Sequence, residues 1–122
     1  MTQEDKNLLL KDLSARLSYK VNVCLYEKET CILMGIDGDE VYLDVDSDSF
    51  YVESIKPYLR PMSSMTEEEI KEFSVLGVGI HLFKGPLIPS YDTLDWLNKN
   101  HFDYRGLIEK GLALEAPKDM YK

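Results

Sequence analysis

The sequence predicts an α+β fold: an N-terminal helix, a small antiparallel β-meander or SH3-like barrel, then a mostly helical C-terminal half. Three observations carry this. Leu9, Leu10, Leu13 and Leu17 recur at helical spacing. Residues 19–55 fall into short stretches of alternating apolar and polar residues divided by turn-formers. Thr66 opens a helix-start signature in which several rules agree.

In chain order, Thr2 with Asp5 three residues on forms a cap, and the leucine stripe behind it predicts an amphipathic helix from Gln3 to Leu17 that covers the sheet. Asp12 and Arg16 make an i,i+4 pair, expected on the opposite face. Val21, Val23 and Leu25 alternate with Asn22, Cys24 and Tyr26, which predicts a strand over Tyr19–Tyr26. The polar run 27–30 is sized for a hairpin connection, and Cys31–Ile36 is a second strand, apolar enough to be covered on both sides. Asp37-Gly38-Asp39 supplies a hairpin turn of the Asp-Gly type. Val41, Leu43 and Val45 then alternate with Tyr42, Asp44 and Asp46, and Phe50–Ile55 reads as a short fourth strand. Sequential antiparallel strands of this kind suggest a meander curling into a barrel.

Pro57 and Pro61 fix their own φ and hold the preceding residues extended, which predicts a stiff Pro-rich connector. Thr66 and Glu69 stand at capping-box spacing, Met65 and Ile70 at staple spacing, and Glu67, Glu68 and Glu69 at the positive end of the helix dipole. The helix should run from Glu67 to Leu76 with Ile70 and Phe73 inward, and stop at Gly77. Ile80–Phe83 reads as a short strand. Pro89-Ser90 precedes a helix over Tyr91–Asn98, with Leu94 and Leu97 packed and Trp96 at the edge of that face. Asp103 caps a further helix, Tyr104–Lys110, ended by Gly111. The chain thus reads as one domain: helix 1–18, acidic β-rich part 19–55, connector 56–65, mostly helical part 66–114 and loose tail 115–122.

A chain of 122 residues, 44% hydrophobic and 30% charged, is long enough for a core of its own and too apolar to be disordered. The polar start Met-Thr-Gln-Glu-Asp-Lys lacks a basic segment followed by an apolar one, and no apolar run reaches membrane-spanning length, so a cytoplasmic protein without membrane contact is expected. The net charge of −8 is concentrated: residues 21–54 hold one basic and nine acidic groups. Such a surface repels phosphate backbones, which disfavours direct nucleic-acid binding and leaves a protein as the expected partner.

No catalytic constellation emerges. Cys24 and Cys31 could face each other across a hairpin, but two buried or half-buried thiols are the default without a secretory leader. Cys24, Cys31, His81 and His101 are too irregularly spaced for a zinc site, and neither cysteine is marked as activated toward a histidine. Asp44-x-Asp46-x-Asp48 opens like a calcium loop, but Ser49 stands where glycine is needed and Ile55 where a bidentate Glu belongs. Gly77-Val-Gly79 lacks the remainder of any nucleotide-binding pattern. No catalytic, cofactor-binding or metal-binding residue is therefore assigned. The candidate partner surface is Asp44, Asp46 and Asp48 on the acidic strands, together with Trp96, His101, Tyr104 and Arg105. Lys56, Tyr58 and Arg60 mix basic and aromatic character, but beside the acidic strands they read as counter-charges and packing that fasten the two halves.

Four strings are distinctive: Lys11-Asp-Leu-Ser-Ala-Arg-Leu-Ser-Tyr19, Ile55-Lys-Pro-Tyr-Leu-Arg-Pro-Met-Ser-Ser-Met-Thr-Glu-Glu-Glu69, Asp95-Trp-Leu-Asn98 and His101-Phe-Asp-Tyr-Arg-Gly-Leu-Ile-Glu-Lys-Gly-Leu-Ala113. They resemble a family of short phage- or prophage-associated proteins of gut anaerobes, over most of the chain except Cys24–Phe50. The family has no assigned activity, so the resemblance implies a mobile-element context and carries over no site residue. The expected function is a non-enzymatic interaction or regulatory module. An acidic nucleic-acid mimic and a small cysteine–histidine enzyme are the alternatives.

Overall fold

The computed structural model describes residues 1–45, 48–77 and 91–121. The fold is α+β: one mixed six-stranded sheet with helices packed against it. Helix α1 (Gln3–Arg16) begins at the predicted Thr2 cap, which takes the form of a capping box: the Thr2 hydroxyl accepts from Asp5 N and the Asp5 carboxylate accepts from Thr2 N. Strands β1 (Asn22–Leu25), β2 (Glu29–Asp37), β3 (Glu40–Leu43), β4 (Ser49–Tyr51) and β5 (Ile55–Leu59) follow, then α2 (Glu67–Gly77), α3 (Tyr91–Lys99) and β6 (Leu114–Glu115). The sheet order is β4-β3-β2-β1-β5-β6, antiparallel throughout except for the parallel pair β5–β6.

The core lies between α1 and the inner face of the sheet, where Leu9 and Leu13 meet Val21, Val23, Leu33, Val41, Ile55 and Leu59. The buried face of α1 is turned from the predicted stripe. It comprises Leu9, Asp12, Leu13 and Arg16, so the Asp12–Arg16 pair expected at the surface is wholly buried. The reason is a partner far along the chain: the Phe102 carbonyl accepts from Arg16 Nη2 at 2.6 Å, and Arg105 adds a second cation 3.2 Å from Asp12.

The first part of the Pro-rich connector, Lys56–Leu59, is strand. Tyr26 N donates to Ser54 O at 2.9 Å, so hydrogen-bonded rungs of the β1–β5 ladder recur at Cys24/Lys56 and leave Val23/Pro57 between them. The missing N–H of Pro57 therefore points away from β1 and costs that ladder nothing. Ile55, Pro57 and Leu59 are buried and Lys56 and Tyr58 half-buried, the period of a strand with one face in the core.

Three further expectations change. Residues 104–110 form turns, because Gly106 takes φ +73° and the Asp103 carboxylate receives Leu107 N and Ile108 N in place of backbone carbonyls. Ile70, expected inward, is half exposed on α2. The tail expected to be loose is fastened: Glu115 pairs with Leu59, and the Tyr121 hydroxyl donates to Tyr58 O (2.6 Å) while accepting from Asn22 N (3.0 Å). That hydroxyl supplies the next rung where β1 and β5 part. The strand expected at Ile80–Phe83 and the Gly77-Val-Gly79 loop beyond Gly77 lie outside the described residues. Among the described residues no helix is long and apolar enough to cross a membrane.

Candidate docking face

Alternation along β3 sets up the outer surface of the sheet. Val41 and Leu43 are buried, so Glu40 and Tyr42 point outward. Cross-strand register carries two outward rungs over three strands: Asp37–Glu40–Tyr51 and Gly35–Tyr42–Ser49. Gly35 leaves room for the Tyr42 ring, whose Cδ2 would sit 3.6 Å from a Cβ at that position. Met34, at the bulge in β2, is 62% exposed, Tyr51 60% and Tyr42 39%. Three large side chains thus stand in water on neighbouring strands.

Carboxylates surround them. Asp37 faces Glu40 directly across the β2–β3 hairpin, an arrangement in which like charges oppose folding. Ser49 Oγ donates to Glu40 Oε1 at 3.2 Å and fixes that carboxylate on the face. Asp48 is exposed beyond the start of β4. Asp44 is also exposed, but its Oδ1 accepts from Ile32 N at 2.8 Å and its N–H donates to Ile32 O, so it extends the β2–β3 ladder. Asp46 lies outside the described residues. Lys6 of α1 reaches the rim of the sheet, 2.8 Å from Glu53 and 3.9 Å from Asp39; its pKa is held above 10.5 by Glu53 first and Asp39 second.

The second predicted cluster is an internal junction. Trp96 is half-buried, donates from Nε1 to Glu72 at 2.9 Å, and stacks on Phe102 with centroids 5.5 Å apart. It thereby ties α3 to α2. Arg60 lies 4.2 Å over the other partner of that stack, Phe102, and grips Glu69 through two bonds of 2.6 and 2.7 Å. The Arg60 guanidinium and the Thr66 cap hold the Glu69 carboxyl below its usual 4.5. Tyr104 donates to Asn98, and Arg105 stacks on Tyr104 while pairing with Asp12.

His101 is buried at the end of α3. Phe102 N bonds Leu97 O and His101 N bonds Asn98 O, the Schellman pattern, with His101 at φ +62° in the position that favours glycine. Its ring stacks on Tyr121 at 3.8 Å. Burial, then the Arg16 and Arg60 charges, push its pKa from 6.5 to about 4; burial likewise pushes Tyr121 up to about 12.

Cys24 and Cys31 are free and buried. Cys31 pairs with Val23, so the two thiols project from opposite sides of the sheet and cannot bridge. Burial and nearby carboxylates push the Cys31 thiol up, away from the reactive thiolate. Cys24 lies on the outer side, in a cleft of about 640 Å³ with Tyr26, Glu53, Lys56 and Tyr58. His81 lies outside the described residues, and among those described no three metal-binding side chains converge.

Of the aromatic members of the face, the sequence shows Tyr42 only as a polar-side partner of Val41 and Leu43, and Tyr51 only as part of the fourth strand expected over Phe50–Ile55. Their exposure depends on which strands cover them, which no local pattern encodes. The chain matches no family model, no curated protein and no solved structure.

Proposed function

We propose that this chain is a non-enzymatic interaction module whose outer β2–β4 face docks a basic protein partner. The carrying observation is the exposure of Met34, Tyr42 and Tyr51 among Asp37, Glu40 and Asp48. Large apolar side chains exposed together mark interaction surfaces, and the Asp37–Glu40 opposition is a local cost to folding that has a use if a cation lies between them. A phage-related or mobile-element context belongs to the same proposal and rests on the sequence resemblance alone, and a cytoplasmic setting is proposed with it.

An SH3-like barrel, open at β4, is the finer fold we propose. It is supported by the meander β4-β3-β2-β1-β5, the single 3₁₀ turn Val52–Ser54 before β5, and the division of β2, whose first half pairs with β1 and second half with β3.

Nucleic-acid mimicry has less support. Phosphate-like carboxylates should stand free, whereas Asp44 caps a ladder and Lys6 meets Asp39 and Glu53; aromatic side chains at the centre of the face have no place in such a surface. A cysteine–histidine enzyme is disfavoured by thiols on opposite sides of the sheet and by the burial of His101 against Tyr121.

The test compares immobilised wild type with a Glu40→Gln/Tyr42→Ser/Tyr51→Ser variant in host lysate, at low salt and at about 0.5 M, where exposed charges are strongly screened. A basic protein retained by the wild type and released by the variant supports the reading. Equal capture by both, or no capture at either salt, overturns it. Binding that vanishes entirely with salt and survives loss of the two tyrosines favours the mimic.

A further inference from the structure

We infer that the partner enters as an extended segment, basic at alternate positions, that adds as a strand along β4; this rests on the docking-face reading above. Val52 N donates to Asp39 O at 2.9 Å. In an antiparallel ladder the next hydrogen-bonded rung is then Val41/Phe50, and the rungs Glu40/Tyr51 and Tyr42/Ser49 lie between. The N–H and C=O groups of Ser49 and Tyr51 therefore point away from β3. Among the described residues β4 is the end of the sheet on that side.

Open edges are commonly guarded by lysine, proline or a bulge, and Ser49-Phe50-Tyr51 has none of these. At the opposite edge the chain covers β5 itself, with β6 in parallel register and Ala116 N bonded to Leu59 O. One edge is closed by the protein's own tail and the other is left with its backbone groups outward.

Charge decides what fits. On an added strand alternate side chains share the face of Tyr51 and Glu40, where an Arg or Lys meets a tyrosine ring and a carboxylate together. Asp48 and Glu53 flank the strand at either end. A second copy adding its own β4 would bring the same carboxylates together, so self-pairing is opposed. Because β4 spans three residues, backbone bonds are few, and the cationic side chains have to supply much of the affinity.

The probe is a fluorescent peptide of alternating arginine and valine, read by anisotropy against wild type, Tyr51→Ala and Tyr51→Pro. Tyr51 has φ −68°, the value proline imposes, and its N–H faces outward, so proline removes the edge donor without touching the β3 ladder. The expectation is binding by wild type, weaker binding by Tyr51→Ala through loss of the ring, and a further loss of about tenfold in Tyr51→Pro. Methylation of the peptide's alternate amide nitrogens should weaken binding to wild type comparably, which decides the matter even if Tyr51→Pro fails to fold. Equal binding by the alanine and proline variants, full affinity of the methylated peptide, or equal binding of a glutamate–valine peptide overturns strand addition by a basic segment. So does the absence of binding to wild type. In each of these cases loss of lysate capture by the Glu40→Gln/Tyr42→Ser/Tyr51→Ser variant would still uphold the docking face. A wild-type dimer abolished by Tyr51→Pro would replace the partner segment with a second copy.

Discussion

Replacing Arg16 by methionine should be among the most damaging single changes to this protein, and the structure says by how much. The side chain is fully buried, with Nε 2.8 Å and Nη2 3.1 Å from the Asp12 carboxylate and Nη2 also 2.6 Å from the Phe102 carbonyl. Methionine fills similar space but leaves Asp12 buried with a single cation and the Phe102 carbonyl with only the Tyr104 N–H, at 3.2 Å. Removing one member of a buried pair costs about 3–5 kcal/mol. Asp12 keeps Arg105 at 3.2 Å, and among the described residues Arg16 Nη1 has no hydrogen-bond partner to lose, so the lower end, about 3 kcal/mol, is expected. Urea unfolding followed by Trp96 fluorescence reads this directly: with a slope of about 1.5 kcal/mol per molar, the midpoint falls by about 2 M at unchanged slope. Adding Asp12→Leu removes the stranded charge, and Arg105, already partly exposed, can turn to solvent. The double variant should therefore recover to within about 1 kcal/mol of wild type. A single variant within that margin of wild type, or a double variant no better than the single, would refute the reasoning.

Two further outcomes follow from backbone and protonation states. At the β1–β2 hairpin Tyr26 and Glu27 both adopt left-handed φ, 52° and 61°, and Glu27→Gly should raise stability by about 0.5–1 kcal/mol, a melting increase of about 2–4 °C; a fall in melting temperature would contradict it. His101 takes up a proton near pH 6.5 when unfolded but only at about 4 when folded. Its contribution is present above 6.5 and is lost as pH falls from 6.5 toward 4. His101→Asn, which tolerates the left-handed backbone, should lose no stability from this source, so its stability gap to wild type narrows across that window. Parallel pH profiles would rule the assignment out.

Features whose partners lie within a few residues were legible. Both capping boxes are formed, Thr2 with Asp5 and Thr66 with Glu69, because their chemistry is complete within one helical turn. The first three strands lie near their predicted places and the Asp37–Glu40 hairpin turns at Gly38 with φ +63°, whereas the fourth, expected over Phe50–Ile55, is broken by the 3₁₀ turn Val52–Ser54 between β4 and β5. Pro57 hid β5 because an unpaired position on a strand cannot be told from a connector until the neighbouring strand's register is known. The burial of Arg16 depends on Phe102, 86 residues away, and the docking of the tail depends on one tyrosine hydroxyl reaching two strands. Trp96 and His101 looked like surface anchors because aromatic, imidazole and guanidinium groups serve interfaces and helix junctions alike; long-range packing assigns them to the junction.

The most direct test of the central claim is an amide-resolved NMR titration of the intact protein with the arginine–valine peptide. Shifts should concentrate at Met34, Gly35, Tyr42, Ser49 and Tyr51, with slowed exchange of the Tyr51 amide. Shifts centred instead on the Trp96 indole, Tyr104 and Arg105, with β4 unchanged, would contradict it.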